Sequence, residues 1–323
     1  MNPTYPMAID QKIIVAKLAA MKNKTKDYDE GLLKIEDEKR IIDNTNKFDS
    51  LEVATKMMYP AILTLLILRG FIVSAMVFGS AGIGKTYGVM KALSESARVW
   101  HKTEDQKANM TPEDLDKLLD QPAPTLVKIS GAITPKGLYQ LMYKHREGNI
   151  LVFDDCDDVL RNPKMSNILK AGLDSGVDER VITWETSRPE EGLPTSFEFK
   201  SQIIFISNMT ADQVDKAVRS RSADINLVLS PDEAYEHIGN LLQFIDTTRL
   251  NEKGEPVIIE LPEKINKEIF DKISEHRYTL AEYSFRTFKQ AVGIYVFCKE
   301  NPDSLNGLTW FDLWYSQQDE IKQ

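Results

Sequence analysis

The clearest chemical feature of this chain is an octet of residues that fits the pattern of a phosphate-binding loop. The octet consists of Gly79, Ser80, Ala81, Gly82, Ile83, Gly84, Lys85 and Thr86. Glycines permit the positive backbone φ angles at which successive N–H groups form a concave nest for phosphate oxygens. In this pattern the lysine contacts the outer phosphates and the threonine hydroxyl binds Mg²⁺. We therefore expect the octet, together with the adjoining Tyr87, to bind a nucleoside triphosphate and magnesium.

The residues on either side of the octet fit this interpretation. Residues 72–78 are mostly apolar and rich in strand formers, and residues 87–97 carry apolar side chains at helical spacing. A strand, a glycine loop and a helix in this order direct the free N–H groups of the helix N-terminus at an anion. The alternative is a glycine-rich turn between two core elements, and the lysine and threonine in register argue against it.

Two adjacent acids end a second apolar run. Residues 150–153 are Ile, Leu, Val and Phe, and Asp154 and Asp155 follow them. A buried parallel strand that ends in carboxylates places them at the carboxyl edge of the sheet, beside the loop. We expect Asp154 to bind Mg²⁺, directly or through water, and Asp155 to orient or deprotonate the attacking water. The alternative is an acidic loop that caps the following helix.

Three more polar residues are candidates for a phosphoryl-transfer site. Asn208 follows the apolar residues 202–207, where its amide could hydrogen-bond the γ-phosphate or the water. Arg221 immediately precedes a short predicted strand and is the candidate for an arginine that a neighbouring subunit supplies. Arg286 begins a predicted helix near the C-terminus and could reach the phosphates. The alternatives are a turn residue for Asn208 and surface arginines for the other two, with Arg219 a competing choice for Arg221.

Composition limits the class of protein. The 323 residues carry a formal net charge of −9, which gives no overall attraction to nucleic acids or anionic membranes, so nucleic-acid binding would need a local basic patch. Two cysteines are too few for a disulfide framework and favour a reducing compartment, so we expect a cytoplasmic protein. The apolar residues 60–68 are too few to cross a membrane, and we expect no membrane partner.

The pattern of composition divides the chain into three parts. Residues 1–50 are dense in charge and predict a helical arm. Residues 51–229 alternate apolar strands with helices, which is typical of an α/β protein with a parallel sheet. Within them, residues 181–200 predict a β-hairpin. Residues 230–323 predict a small helical lid domain, which begins at the helix-start signature of Ser230.

Taken together, these residues resemble the AAA+ ATPases and follow the order of that family's motifs. The octet resembles the Walker A motif, residues 154–157 resemble Walker B and Asn208 resembles sensor 1. Residues 220–221 resemble the arginine-finger box, and residues 284–286 resemble sensor 2. The stretches between the motifs are similar to a branch of the family that bacteriophages encode.

The resemblance implies a P-loop NTPase three-layer sandwich, with a five-stranded parallel core sheet and a small helical lid. It also implies Mg²⁺-dependent hydrolysis of ATP at a subunit boundary, and a homo-oligomeric ring that in this family is often a hexamer. A phage-encoded protein of this kind would act in the host cytoplasm. The family usually has Glu where this chain has Asp155, and the shorter side chain predicts slower hydrolysis.

The macromolecule on which such an ATPase acts is open at this stage. One hypothesis is a phage DNA transaction, namely loading, remodelling, replication or packaging, for which the basic residues within 128–146 could line a pore. The alternative for those residues is the solvated face of a helix. A second hypothesis is a protein remodeller in which Tyr139 grips a threaded chain, and the favoured alternative for Tyr139 is that it packs beside Leu138. A third is a slowly hydrolysing scaffold gated by nucleotide.

Overall fold

The computed structural model describes most of the chain. The described residues are 52–100, 125–185, 192–242, 245–250, 253–302 and 307–319. The predicted arm at residues 1–50 lies outside them. Within the described part of the chain, no helix combines the length and the apolar composition that are needed to cross a membrane.

Strands and helices alternate along the first two thirds of the described chain. The strands are β1 (Ser74–Gly79), β2 (Thr125–Ser130), β3 (Asn149–Asp154), β4 (Val181–Thr183), β5 (Ser196–Glu198), β6 (Gln202–Ser207), β7 (Ala223–Leu227), β8 (Asp246–Leu250) and β9 (Pro256–Glu260). The α-helices are α1 (Val53–Lys56), α2 (Tyr59–Leu68), α3 (Lys85–Trp100), α4 (Pro135–Lys144), α5 (Asp157–Arg161), α6 (Pro163–Gly172), α7 (Lys216–Arg219), α8 (Pro231–Gly239), α9 (Glu263–Ser274), α10 (Phe285–Glu300) and α11 (Trp310–Tyr315).

Five strands form one parallel sheet in the order β2-β3-β6-β1-β7. The register places Phe78 opposite Ser207, and Asp154 opposite Ile206. The carboxyl ends of β1, β3 and β6 therefore meet at one edge of the sheet, with β6 in the middle. The predicted α/β fold class, with a five-stranded parallel core sheet and a helical C-terminal region, is confirmed.

Helices cover both faces of this sheet, which explains why its inner strands are apolar throughout. Strands β1, β3 and β6 are buried along nearly their whole length, as parallel strands between helices must be. Alternate side chains, such as Phe78 and Phe153, join one core cluster with residues of α4, α5 and α6. The intervening side chains, such as Ala75 and Val77, face the opposite way, towards α2 and α3, the helices that contact β1.

A short antiparallel hairpin, β4 and β5, lies where residues 181–200 predict one. Tyr139 of α4 is fully buried beneath it and donates a hydrogen bond from its hydroxyl to the carbonyl oxygen of Pro194, at 2.8 Å. Its ring packs edge-on against Phe197, with the ring centroids 5.0 Å apart. Tyr139 therefore fastens the hairpin to the core. The hypothesis that Tyr139 grips a threaded chain is wrong, because the ring has no exposed surface.

The described residues form two compact units, which divide before Met57 and after Val228. Residues 57–228 make up the first unit, and α1 belongs to the second with the residues from Leu229 onward. Within the second unit the buried Lys56 pairs its Nζ with Glu233 Oε1 of α8 at 2.5 Å. A buried ammonium requires such a partner, and this pair explains why α1 joins the C-terminal residues. The sequence interpretation had grouped residues 51–56 with the ATPase core.

The second unit also contains a hairpin that the sequence interpretation did not predict. Its helices bury Phe270, Phe288 and Trp314 in a common core. The antiparallel strands β8 and β9 pair Thr247 with Ile259 and so form a small sheet within this largely helical unit. Apolar residues nearby are spaced as they would be in a helix. This spacing hid the strand signal of the β-branched residues on either side of the turn.

The end of β1 generates a prediction about stability. Gly79 has a φ of +142°, and a Cβ on it would lie 2.1 Å from the carbonyl oxygen of Leu227 on β7. We expect Gly79→Ala to lower the free energy of unfolding by at least about 3 kcal/mol, because the strands must separate to admit the methyl group. Urea denaturation of the full chain measures this.

Gly148→Ala provides the matched control. Gly148 also has a positive φ, +68°, but a Cβ there would have no neighbour within 4 Å. Gly148→Ala should lower the free energy of unfolding by only about 1 kcal/mol, from backbone strain alone. Equal losses in the two variants would contradict the close approach of β1 to β7.

Candidate functional site

The loop between β1 and α3 has the backbone shape that its glycines predict. Gly82 and Gly84 have φ values of +70° and +95°, which favour glycine. Together with Gly79, they turn the chain between the buried end of β1 and the start of α3 at Lys85. The first turn of α3 therefore lies at the carboxyl edge of the sheet, where β3 and β6 also end.

Lys85 points its ammonium group back into the loop. The residue is 6% exposed, and Nζ donates hydrogen bonds to the carbonyl oxygens of Gly79 and Ser80, at 2.8 and 2.7 Å. A third hydrogen bond goes to Asn208 Oδ1, at 2.8 Å. The cation is thus held at the centre of the loop by neutral oxygen atoms.

Thr86 and Asp154 are in direct contact. The threonine hydroxyl donates to Asp154 Oδ1 at 2.8 Å. The second carboxylate oxygen, Oδ2, pairs with Nζ of Lys128 on β2, also at 2.8 Å. Asp154 is 8% exposed, so both oxygens of this nearly buried carboxylate are engaged.

Asp155 leaves the strand in an unusual backbone conformation. Its φ is +56°, the one positive value among the described residues other than glycine, while its N–H still donates to the carbonyl oxygen of Ile206. The side chain is thereby directed to the end of β6, where Oδ1 accepts a hydrogen bond from Asn208 Nδ2 at 3.0 Å. Asp and Asn tolerate this left-handed region better than Glu does.

Asn208 joins the ends of all three inner strands. Its amide oxygen accepts from Lys85, which follows β1, and its amide nitrogen donates to Asp155, which follows β3. The structure therefore brings five of the predicted site residues to one edge of the sheet, where Lys85 and Asp155 are both hydrogen-bonded to Asn208 and Thr86 is hydrogen-bonded to Asp154.

A hydrogen-bonded support behind Asn208 escaped the sequence interpretation. Ser207 Oγ donates to Asp157 Oδ1 at 2.5 Å and accepts from the N–H of Met209 at 3.0 Å. These two bonds hold the chain on both sides of Asn208. The signal in the sequence was a hydroxyl at the last position of an apolar strand, together with Asp157, the next acid after Asp155.

Cys156, between the two acidic positions, packs as a structural side chain. Burial, and then the nearby Asp154, raise the pKa of its thiol above the ordinary value. Its Sγ lies 3.5 Å from the carbonyl oxygen of Ile129 on β2. A neutral thiol is a weak donor and a weak nucleophile, so Cys156 adds no reactive group to this edge of the sheet.

Arg221 and Arg219, the candidate arginines of the first unit, have partners outside this cluster. Arg221 Nη1 donates to the carbonyl oxygen of Ala217 at 2.7 Å, and Nη2 pairs with Asp174 Oδ2 at 3.2 Å. Arg219 pairs with Asp224 on β7. Arg286 belongs to the second unit, where its backbone N–H donates to Ser284 Oγ at the start of α10.

Tyr87, the remaining predicted binding residue, is exposed. The residue is 52% exposed, and Nζ of Lys91 lies 5.9 Å from the centroid of its ring. The ring therefore presents an aromatic surface beside the first turn of α3.

The oxygen atoms at this edge suit a magnesium ion. Among the described residues, no three His, Cys, Asp or Glu side chains converge as a metal cage. Mg²⁺ usually keeps several waters and takes one or two protein oxygens together with phosphate oxygens. The Thr86 hydroxyl and the Asp154 carboxylate are ligands of this kind, and their hydrogen bond brings Oγ1 and Oδ1 within 2.8 Å of each other.

The predicted basic region at 128–146 is partly engaged in local contacts. Lys128 pairs with Asp154, as described above. Arg146 lies over the ring of Tyr143, 4.6 Å from its centroid, and donates to the carbonyl oxygen of that residue. These two basic groups therefore already have partners within their own unit.

Comparison with known proteins gives a relative from a bacteriophage. No protein-family model matches the chain. Over 150 residues the chain is 34% identical to an uncharacterized 36.7 kDa protein from the nrdC-mobD intergenic region of Enterobacteria phage T4. This match covers 46% of the chain and 39% of that relative's length. Among solved structures, a RuvB mutant from Thermotoga maritima is 13% identical and superposes with a TM-score of 0.39, covering 78% of this chain and 67% of the other.

The pair of Arg221 and Asp174 generates a prediction about pH. The N–H of Gly176 and the guanidinium of Arg221 lower the pKa of Asp174 below its ordinary value of 3.8. A lowered pKa in the folded state stabilises the fold above that ordinary value, and the stabilisation is lost as the pH falls through the lowered pKa. We expect Arg221→Met to raise the Asp174 pKa, as measured by NMR titration of the carboxyl carbon.

Arg219→Met is the matched control, because it removes an equal charge two residues away that pairs with Asp224 instead. It should leave the Asp174 pKa within about 0.2 units of the wild-type value, since an exposed charge at a distance is strongly screened. An unchanged Asp174 pKa in Arg221→Met would contradict the pairing.

Proposed function

We propose that this chain is a Mg²⁺-dependent ATPase of the AAA+ type, which binds ATP at residues 79–87 and hydrolyses it to ADP and phosphate. The observation that carries the proposal is the amide of Asn208, which contacts the loop lysine on one side and the Asp155 carboxylate on the other. If Asn208 were only a turn residue, nothing would require it to contact both Lys85 of the loop and Asp155 at the end of the neighbouring strand.

Each residue of the cluster has a role in this proposal. The N–H groups of the loop and Lys85 bind the phosphates, and Thr86 and Asp154 hold the magnesium ion. A Mg²⁺ ion held there would supply positive charge that offsets the charge of the phosphates. Lys85 would exchange its contacts with Gly79 and Ser80 for phosphate oxygens, which are stronger acceptors because they are charged.

Hydrolysis in this proposal depends on Asp155 and Asn208. Asp155 orients the attacking water and accepts its proton, while the water oxygen bonds to the γ-phosphorus and the bond to the bridging oxygen of ADP breaks. Asn208 fixes the position of the Asp155 carboxylate through its Nδ2. The left-handed backbone at Asp155 favours Asp over the longer Glu, so we propose that the shorter acid is matched to this turn.

The arginines enter the proposal through assembly. We propose a homo-oligomeric ring in which Arg221 of a neighbouring subunit, or Arg219 beside it, stabilises the transition state. Arg221 would have to exchange its contact with Asp174 for the phosphate of the next subunit. Arg286, at the first turn of α10, is proposed to contact the nucleotide of its own subunit.

For the macromolecular substrate, we propose a phage DNA transaction, with protein remodelling and a slowly hydrolysing scaffold as the competing functions. The similarity to a phage protein supports the phage setting. The burial of Tyr139 removes one argument for remodelling.

We expect single- or double-stranded DNA to raise the ATPase rate at least about threefold, in a salt-dependent manner. An equal rate with and without DNA would contradict a DNA-driven function and leave the ATPase proposal intact.

The catalytic step is tested by Asp155→Asn. Asparagine also tolerates a φ of +56° and can still accept the hydrogen bond from Asn208, so the fold and the binding of ATP should be retained. Turnover should fall by about 100-fold or more, because an amide cannot accept the proton. Release of phosphate and the binding of a fluorescent ATP analogue measure the two effects separately.

Two further variants complete this experiment. Asp158→Asn changes an exposed acid three residues away, at the start of α5, and should leave turnover within about twofold of the wild-type rate. Lys85→Ala should weaken binding of the ATP analogue by about tenfold or more, since a charge-assisted contact to phosphate is lost. Undiminished turnover in Asp155→Asn, or tight binding in Lys85→Ala, would count against the proposed roles.

A further inference from the structure

We infer that Lys128 competes with the divalent cation for Asp154 and so sets the concentration of Mg²⁺ at which the site fills. The inference rests on the proposed function, because it concerns the cation that accompanies the nucleotide. It adds to the site a residue that belongs to none of the motifs in the sequence.

The sheet itself places Lys128 within reach of Asp154. In the pairing of β2 with β3, Ser130 lies opposite Asp154, and Lys128 lies two residues earlier on β2. Residues two apart on a strand share a face of the sheet, so the lysine side chain extends along β2 towards the carboxyl edge. Its Nζ reaches Asp154 Oδ2 at 2.8 Å.

The Asp154 carboxylate has no spare oxygen in this arrangement. Oδ1 accepts from Thr86, the hydroxyl proposed to bind the cation, and Oδ2 is paired with Lys128. A cation that binds Thr86 and Asp154 must approach the same carboxylate. The ammonium group and the ion would then lie only a few ångströms apart, and two positive charges at that separation repel each other.

The two partners differ in how easily they can leave the contact. The Lys128 side chain is 43% exposed, whereas that of Asp154 is 10% exposed. The ammonium can therefore swing into water at little cost, while the carboxylate stays and must be paired by either the lysine or the ion. This asymmetry makes Lys128 a replaceable counter-charge, which stabilises Asp154 only until the cation arrives.

The experiment compares Lys128→Met with the wild-type chain loaded with ADP. The protein is titrated with Mn²⁺, and the electron paramagnetic resonance signal of the free ion gives the fraction that is bound. We expect the dissociation constant for Mn²⁺ to fall about fivefold in Lys128→Met, which corresponds to removal of a partly exposed ion pair. The difference should shrink as salt is added, because exposed charges are screened.

Thermal denaturation provides a second readout, first without and then with the ligands. In EDTA and without nucleotide, Lys128→Met should melt at a lower temperature than the wild type, because Asp154 loses its counter-charge. Addition of Mn²⁺ and ADP should raise the melting temperature of the variant by more than that of the wild type.

Two variants control for charge and for general effects. Lys128→Arg keeps the positive charge and should retain a dissociation constant for Mn²⁺ within about twofold of wild type. Lys144→Met removes an exposed lysine from the end of α4, in the same unit, and should change neither readout.

The outcomes separate this inference from the proposed function. Equal or weaker Mn²⁺ binding in Lys128→Met, beside normal binding in the wild type, would overturn the role of Lys128 and leave the ATPase proposal standing. A wild-type chain that binds neither ADP nor Mn²⁺ would overturn both. If Lys144→Met also lowered the dissociation constant for Mn²⁺, the competition would likewise be rejected, because the change would then reflect net charge alone.

Discussion

One primary amide holds the candidate site together. Asn208 uses its carbonyl oxygen towards a lysine and its nitrogen towards a carboxylate, so its two ends meet groups of opposite charge and its orientation is fixed. This is feasible because β6 runs between β1 and β3, in a register that ends all three strands at the same level. A shift of one residue in either pairing would separate Lys85 from Asp155 and turn alternate side chains to the wrong face.

The two buried charges of the site each have more than one partner. Lys85 donates hydrogen bonds to two carbonyl oxygens and one amide oxygen, whereas Asp154 is paired with a hydroxyl and with Lys128. Neutral dipoles satisfy the buried lysine at a lower energetic cost than leaving it unpaired, and they can be exchanged for phosphate.

The groups outside this cluster are organised around other partners. Arg221 is tied to Asp174 and Ala217, and Arg286 belongs to a separate compact unit. In that unit the pair of Lys56 and Glu233 joins the residues before the first unit to those after it. Along the sequence, the chain enters the first unit between residues 56 and 57 and leaves it between residues 228 and 229.

The sequence alone determined the elements and the kinds of residue at their ends. The glycines at positions 79, 82 and 84 permit the positive φ values of the loop, and the apolar runs before Asp154 and Asn208 predict buried parallel strands, because these are local properties of the chain. The hairpin at β4 and β5 followed from the same kind of pattern, whereas β8 and β9 were missed because scattered apolar residues around them also fit a helix.

Only the tertiary structure decided which of those residues meet. The contacts of Lys128 with Asp154 and of Ser207 with Asp157 join residues 26 and 50 positions apart, and they depend on the order of strands and on register. The backbone of Asp155 and the pairing of Arg221 with Asp174 likewise arise from neighbours that are distant in sequence. Local propensity carries no information about such pairs, because the free energy that selects them comes from packing the whole sheet.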